Sequence, residues 1–207
     1  MMQSFKNRLA LCLAALALLA SHAVHAAPIY HVSVDTRSFT GQALLDFTFL
    51  ANAGATPASA ILDNFSGDFG ATFDASPAVT GAIPAGVVLG NQNGGDYLTQ
   101  FVQLGGLFSF DIRFDGAFAT TENIDASLFA ATMYNTDLSG YIGVAGSLVE
   151  FTLAPQVNGI PGGITVAASE LASVSAVPEP SSLLMVVGGL GLLGWQLRRQ
   201  SQMVQRP

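Results

Sequence analysis

The sequence predicts an all-β fold for the body of the chain, an antiparallel β-sandwich or jelly roll of about eight or nine strands. Hydrophobic residues there alternate with polar ones at a period of two, and turns with glycine and proline separate the alternating segments. No segment between the two hydrophobic ends shows the period of 3.6 residues that marks an amphipathic helix. Alternating segments joined by hairpins are typical of two packed sheets, and about 150 residues suffice for their common core.

The clearest strand is predicted at residues 107–115. The apolar side chains of one face are Phe108, Phe110, Ile112 and Phe114, and the polar side chains of the other are Ser109, Asp111, Arg113 and Asp115. Reversing the strand would bury two carboxylates and a guanidinium group, and each would cost several kcal/mol unless it were paired. The phenylalanine face is therefore predicted to point into the core.

The same alternation predicts a first strand at residues 30–35 and a second at 44–50. Their inward residues are Tyr30, Val32, Val34, Leu45, Phe47 and Phe49. Further strands are predicted at 59–65, 87–90, 97–103, 126–134, 148–153 and 163–168. Turn signals lie between several of them, at 66–68, 91–96, 115–116 and 158–163.

The chain becomes small and polar after residue 168, with Ser169, Ser173 and Ser175 among alanines and valines. This composition is typical of a linker. We therefore expect the β-sandwich domain to span residues 27–168 and a linker to span residues 169–176.

The first 26 residues have the features of a secretory signal peptide. Lys6 and Arg8 precede an apolar run at residues 9–20, and Val24-His25-Ala26 is a small-residue cleavage site. Signal peptidase is expected to cut between Ala26 and Ala27. Cleavage removes Cys12, the only cysteine, so the mature protein is expected to lack disulfides, thiolate nucleophiles and cysteine metal sites.

The mature body is strongly acidic. Residues 27–177 carry thirteen acidic side chains against two basic ones, Arg37 and Arg113, a net charge of −11. Nucleic acids bind proteins mainly through cationic contacts to phosphate, and anionic membrane surfaces also attract basic residues. The composition therefore disfavours both as partners of the body.

The C-terminal region combines three features. Val177-Pro178-Glu179-Pro180 precedes an uncharged segment of seventeen residues, 181–197, which ends at Arg198 and Arg199. A segment of this length is a short transmembrane helix, and the two arginines predict a cytoplasmic tail at residues 201–207. An ordinary C-terminal anchor with a proline-rich stalk is the alternative interpretation.

Residues 177–200 resemble the PEP-CTERM sorting signal of Gram-negative bacteria, in which a Pro-Glu-Pro triplet, a short Gly/Leu-rich helix and a basic stop occur in this order. The resemblance implies that an exosortase, an intramembrane protease, recognises the signal. It also implies transient anchoring in the inner membrane, followed by transfer to the cell surface or the extracellular space. The tail after the arginines is longer than the family usually carries.

The body itself is similar to a group of secreted PEP-CTERM proteins without an assigned activity. The matching segments are residues 30–36, 41–42, 45–49, 64–67, 108–111 and 129–130. This similarity implies an exported protein, and it transfers no catalytic residue to this chain.

The sequence offers no catalytic set. His31 is the only histidine of the mature body, and alternation places it on the outward face of its strand. Asp111 and Asp115 lie about 13 Å apart along one strand, farther than the two carboxyl groups of a glycosidase. We therefore expect a protein that is not an enzyme.

Acidic and amide side chains gather near turns, and calcium binding is one interpretation of them. Its candidate ligands are Asp63, Asn64, Asp68 and Asp74. Oxygen ligands suit this cation, but no EF-hand loop or nonapeptide repeat is present. Ordinary turn chemistry explains the same residues, and no cofactor is predicted.

Carbohydrate binding would require aromatic rings on an outer sheet face. Most phenylalanines occupy predicted inward positions, which leaves Tyr97, Tyr134 and Tyr141 as candidates. The first hypothesis is an exported, non-enzymatic surface or extracellular-matrix protein, with signal peptidase and an exosortase as its processing partners. The alternative is a carbohydrate-binding module associated with exopolysaccharide, and a secreted hydrolase is the third hypothesis.

Overall fold

The computed structural model describes residues 27–177, which form two antiparallel six-stranded sheets packed as a sandwich. The strands are β1 Ile29–Asp35, β2 Gln42–Ala51, β3 Ala58–Ser66, β4 Phe69–Ala75, β5 Thr80–Ala82, β6 Gly86–Gly90, β7 Gly95–Gln103, β8 Leu107–Gly116, β9 Ser127–Tyr134, β10 Ser147–Ala154, β11 Gly163–Ala168 and β12 Ala172–Val177. Sheet A has the order β12-β1-β8-β3-β6-β5, and sheet B has the order β11-β10-β9-β2-β7-β4. Two short 3₁₀ turns lie at Gln92–Gly94 and Phe118–Thr120.

The core between the sheets is built from phenylalanines of both. The fully buried ones are Phe47, Phe49, Phe110, Phe114, Phe129 and Phe151. Phe110 of sheet A meets Phe47 of sheet B edge-on with ring centroids 5.2 Å apart, and Phe114 meets Phe151 at 5.4 Å. Burial of each such side chain contributes about 1.5–3 kcal/mol to the free energy of unfolding. The predicted inward faces of β2 and β8 are confirmed.

The predicted fold class is confirmed, and all nine predicted segments coincide with strands. The predicted number of strands is wrong, because the described residues form twelve. Among those missed, β4 pairs with β7 through two register shifts, which break the alternation that sequence patterns detect. Strand β5 has only three residues, all exposed.

The predicted linker at residues 169–176 is also wrong, because most of it is strand β12. This edge strand of sheet A pairs with β1 along its whole length, from Val34 with Ala172 to Ile29 with Val177. Its small residues look like a linker in sequence, but Ala172 and Val174 pack against the core while Ser173 and Ser175 point outward. The domain therefore extends to Val177.

Residues 27–177 contain no helix with the length and hydropathy needed to span a bilayer. The predicted signal peptide at 1–26, transmembrane helix at 181–197 and tail at 201–207 lie outside the described residues.

A buried polar side chain fixes the loops at one end of the sandwich. Asn91 is almost fully buried, and its Oδ1 accepts a hydrogen bond from the Ala58 amide at 2.9 Å. Its Nδ2 donates to the Thr56 carbonyl and to Ser127 Oγ, both at 2.8 Å. One side chain thus joins β3 and β9 to the loop between β6 and β7.

Candidate functional site

The outer face of sheet A is a surface of paired charges. His31 Nδ1 lies 2.6 Å from Asp111 Oδ1, and Asn64 Nδ2 donates to Asp111 Oδ2 at 3.0 Å. Arg113 donates to Asp63 at 2.7 Å. These contacts cross between β1, β3 and β8, so they hold neighbouring strands together. Exposed pairs of this kind contribute at most about 1 kcal/mol each to stability.

His31 has neighbours of the residue types found in a hydrolase triad. In the strand register it lies between Asp111 of β8 and Ser175 of β12. Within residues 27–177, however, Ser175 makes no hydrogen bond to His31. The ring nitrogen of His31 contacts Asp111, which also accepts from Asn64. The sequence prediction placed His31 outward but missed this cross-strand contact.

Three of the cavities among residues 27–177, each of about 300–340 Å³, lie elsewhere, around Tyr30, Ile164 and the neighbouring edges of the sheets. Their linings consist of apolar residues, glycines and small polar side chains, without histidine or carboxylate. Neither His31 nor Asp111 nor Ser175 lines any of them. These linings therefore offer no imidazole or carboxylate as a general acid or base.

The outer face of sheet B differs from that of sheet A, because it is aromatic. We call it the aromatic face, and it consists of Leu44, Asp46 and Thr48 of β2, Phe73 and Asp74 of β4, Tyr97, Thr99 and Phe101 of β7, Thr132 and Tyr134 of β9, and Tyr141. The register places Leu44 between Phe101 and Tyr134, and Thr48 opposite Tyr97. Cross-strand partners point to the same side of a sheet.

The rings of the aromatic face form two pairs. Phe73 meets Phe101 edge-on with centroids 5.4 Å apart, and Tyr134 stacks on Tyr141 at 5.1 Å. Leu44 points outward yet is fully buried, because the larger side chains of Phe101 and Tyr134 flank it. Tyr141 keeps 52% of its surface exposed, Phe73 45% and Tyr97 37%. Aromatic surface therefore remains open to solvent on both sides of β2.

Asp46 lies two residues from Leu44 on the same face of β2, the central strand of the aromatic face. In the register it is flanked by Thr99 on β7 and Thr132 on β9. Thr99 Oγ1 donates to Asp46 Oδ1 at 2.6 Å, and within residues 27–177 no side chain donates to Oδ2. Burial raises the pKa of Asp46 above its ordinary value, although the Thr99 hydrogen bond acts in the opposite direction. The result is a half-buried carboxylate with one oxygen free to accept.

Both tyrosines beside Asp46 are influenced by neighbouring acidic groups. A hydrogen bond of 3.0 Å from the Tyr97 hydroxyl to Asp74 Oδ2 raises the pKa of Tyr97, and the charge of Asp46 adds to it. Burial raises the pKa of Tyr134, with smaller contributions from Tyr141 and Asp46. The charge of Asp46 is thus a minor contribution to the raised pKa of both tyrosines.

The aromatic face carries no basic side chain among the described residues. Arg37 lies beyond β1 and binds Asp35, while Arg113 lies on the outer face of sheet A. Asp46 and Asp74 lie on the face, and Glu150 lies farther along the outer side of sheet B. The electrostatic potential there is expected to be negative, which disfavours anionic ligands.

The candidate calcium ligands do not form one site. Asp63 and Asn64 belong to β3 of sheet A, where they bind Arg113 and Asp111, whereas Asp74 belongs to β4 of sheet B and accepts from Tyr97. Asp68 lies in the turn between these strands, where its carbonyl accepts from the Gln103 amide. Residues 27–177 contain no group of three or more histidine, cysteine or acidic side chains that could hold a metal ion.

The predicted processing sites lie at the two ends of the described chain. Val177 is the last residue of β12 and pairs with Ile29, and Ala27 lies exposed two residues before β1. The other predicted residues, Ala26, Pro178, Glu179, Pro180, Arg198 and Arg199, lie outside the described residues.

Sequence reasoning named Tyr97, Tyr134 and Tyr141 as carbohydrate candidates, and the structure brings all three to the aromatic face. The sequence-based prediction did not include Asp46, Phe73 and Phe101 as candidate site residues. The outward position of Asp46 was visible from the alternation of β2, but its neighbours were not. Only the strand order β9-β2-β7-β4 brings them together.

Comparison with known families finds one match. The family model described as the PEP-CTERM protein-sorting motif matches residues 176–200. The predicted resemblance of the C-terminal region is thereby confirmed, and the match supports an exported protein that an exosortase sorts. No curated protein and no solved structure was found to match this chain.

Proposed function

We propose that this protein is an exported, non-enzymatic component of the cell surface or extracellular matrix, which an exosortase releases from a transient membrane anchor. The observation that carries the proposal is the position of the sorting motif. Its match begins at Ala176, inside the last strand of the sandwich, so the sorting signal follows the folded domain directly. The sandwich is then the cargo, and the C-terminal segment directs its transport.

In this proposal the chain is processed twice. Signal peptidase cuts between Ala26 and Ala27, and the segment at 181–197 then holds the domain in the inner membrane until the exosortase cuts near Val177 and Pro178. A non-enzymatic role is supported by the three cavities, whose linings lack acidic and histidine side chains. It is also supported by His31, because its contact with Asp111 links two neighbouring strands on the outer face of sheet A.

The sorting step is tested by changing Pro178, Glu179 and Pro180 together to alanine. The matched control changes Ser201, Gln202 and Gln205 to alanine, in the tail beyond the arginines. We expect the first variant to accumulate in the membrane fraction at its uncleaved mass, and the control to be released like the wild type. Release of the first variant into the medium at the wild-type rate would contradict the proposal.

A second candidate function is carbohydrate binding, and the aromatic face favours it. Exposed tyrosine and phenylalanine rings lie there on a rigid sheet, beside a carboxylate with a free oxygen. This combination suits sugar rings, whose C–H faces pack on aromatic side chains while their hydroxyl groups donate to carboxylates. An exported protein with this property would associate with exopolysaccharide.

A further inference from the structure

We propose that the aromatic face binds a polysaccharide chain without acidic groups, with Asp46 as the hydrogen-bond acceptor beside the two pairs of rings. The inference rests on carbohydrate binding as the second candidate function, and the sorting of the protein does not depend on it.

The rings provide the first reason. Phe101 on β7 and Tyr134 on β9 are both register partners of Leu44 on β2. Because β2 lies between them, β7 and β9 are about 10 Å apart. Each ring has an aromatic neighbour with an open surface, Phe73 on one side and Tyr141 on the other. A face with two such pairs is long enough to contact consecutive units of a polymer. Contiguous exposed apolar surface on a soluble domain commonly marks a binding site.

Asp46 provides the second reason. A half-buried carboxylate in the middle of a sheet face, without a cation beside it, reduces the stability of the fold. Groups that reduce stability in this way are concentrated at functional sites. Its Oδ2 has no donor within residues 27–177, while Thr99 holds Oδ1 in place at 2.6 Å. The oxygen is thus oriented and available for a sugar hydroxyl.

The charge of the face selects among polysaccharides. Asp46, Asp74 and Glu150 contribute negative charge, and both arginines of the described chain are paired with aspartates elsewhere. Polymers with carboxylate, sulfate or phosphate groups would be repelled, whereas neutral and amino sugars would not. The shared chemistry of the ligand is therefore a chain of uncharged or cationic sugar rings.

The test uses the full chain, solubilised in a detergent without a sugar headgroup, in affinity electrophoresis. The gels contain hydroxyethyl cellulose as a neutral probe, glycol chitosan as a cationic probe or alginate as an anionic probe. We expect hydroxyethyl cellulose or glycol chitosan to retard the protein, and we expect alginate to leave its mobility unchanged. Tyr97→Ala and Tyr141→Ala should each weaken the retardation at least tenfold, and Asp46→Asn at least fivefold.

Matched controls lie away from the face. Ile160→Ala removes an exposed apolar side chain, and Asp115→Asn removes a carboxylate from sheet A, so both should leave the retardation unchanged. Tyr97→Ala preserves the net charge, which separates specific binding from general attraction to glycol chitosan. Circular dichroism and thermal melting verify that each variant is folded, and Asp46→Asn tests the face with the least change in shape.

Three results would overturn the inference: no retardation by either non-acidic probe, retardation by alginate, or equal retardation of the folded Tyr97→Ala variant. A concentration-dependent dimer in light scattering that Tyr97→Ala abolishes would also overturn it, because the face would then bind a second copy of the chain. Release of the same variants into the medium reports on sorting separately.

Discussion

Ile29 and Val177 are register partners, so the last strand of the sandwich ends beside the start of the first, at the edge of sheet A. Ala27 lies two residues before Ile29, and Pro178 directly follows Val177. The proposed cut sites of signal peptidase and the exosortase therefore flank the same pair of strands. A cut at Val177 or beyond leaves all of β12 with the domain, whereas an earlier cut would remove part of its pairing with β1.

Strand β12 is expected to contribute to stability, which a linker would not. Val174 is half-buried against the core and pairs with Val32, while Ser173 of the same strand points outward. Val174→Asp should lower the free energy of unfolding by about 1–3 kcal/mol, because it places a charge against apolar side chains. Ser173→Asp should change it by less than about 0.5 kcal/mol. Urea denaturation of the processed protein measures both, and equal effects would contradict the assignment.

Substitution of Asn91 is expected to lower the free energy of unfolding more than substitution of most other polar residues. Asn91→Leu leaves the Ala58 amide, the Thr56 carbonyl and the Ser127 hydroxyl without their partner. Since unsatisfied buried groups cost about 1–3 kcal/mol each, we expect a loss of about 2–4 kcal/mol after partial relaxation. The adjacent and exposed Gln92 provides the control, because Gln92→Leu should cost less than about 0.5 kcal/mol. A thermal melt that shows similar losses for both would refute this role.

Ser175 is expected not to act as a nucleophile, although it is the register partner of His31. A serine hydroxyl needs a hydrogen bond to its base to be activated, and the described structure shows none between these two residues. A fluorophosphonate probe should therefore leave the processed protein unlabelled, under conditions that label an active serine hydrolase. Labelling of Ser175 that His31→Ala abolishes would show that the protein is an enzyme.

The sequence predicts most directly those strands whose two faces differ in polarity. Strand β8 alternates phenylalanine and isoleucine with polar and charged residues. Burying its polar face would be costly, so only one orientation of the strand is favourable. Strand β12 alternates only alanine and valine with serine, and its polarity contrast is too weak to exclude a linker. Its pairing with β1 joins segments from opposite ends of the domain, which local pattern cannot reveal.

The candidate site could be predicted only in part for a related reason. Tyr97, Tyr134 and Tyr141 were identifiable because aromatic residues outside the inward positions are few. That they share a face with Asp46 depends on β2 lying between β7 and β9, and the strand order follows from the packing of the whole sandwich. The raised pKa of Asp46 depends on that same packing, since burial is its main cause.

Two aspartates should change stability with pH in opposite directions. Burial raises the pKa of Asp46, so the unfolded chain loses this proton at lower pH than the folded one. Stability from this group therefore falls as the pH rises from about 4, the ordinary aspartate value, to the raised folded value. The side-chain hydrogen bond from Arg37 is the main factor that lowers the pKa of Asp35 to about 2. The contribution of Asp35 to the free energy of unfolding is present above about pH 4, and it is lost as the pH falls towards the folded pKa of Asp35.

Asp46→Asn should consequently be more stable than the wild type at pH 7, because an amide can still accept from Thr99 without the cost of a half-buried charge. The difference should shrink as the pH is lowered and disappear below about pH 4, where the wild-type carboxyl is protonated in both states. Asp35→Asn is the control and should be less stable than the wild type at pH 7. Urea denaturation of the three proteins at a series of pH values measures these differences. If Asp46→Asn were less stable than the wild type at pH 7, the carboxylate would be stabilising the sheet, and the interpretation of Asp46 as a binding group held at a cost to stability would be wrong.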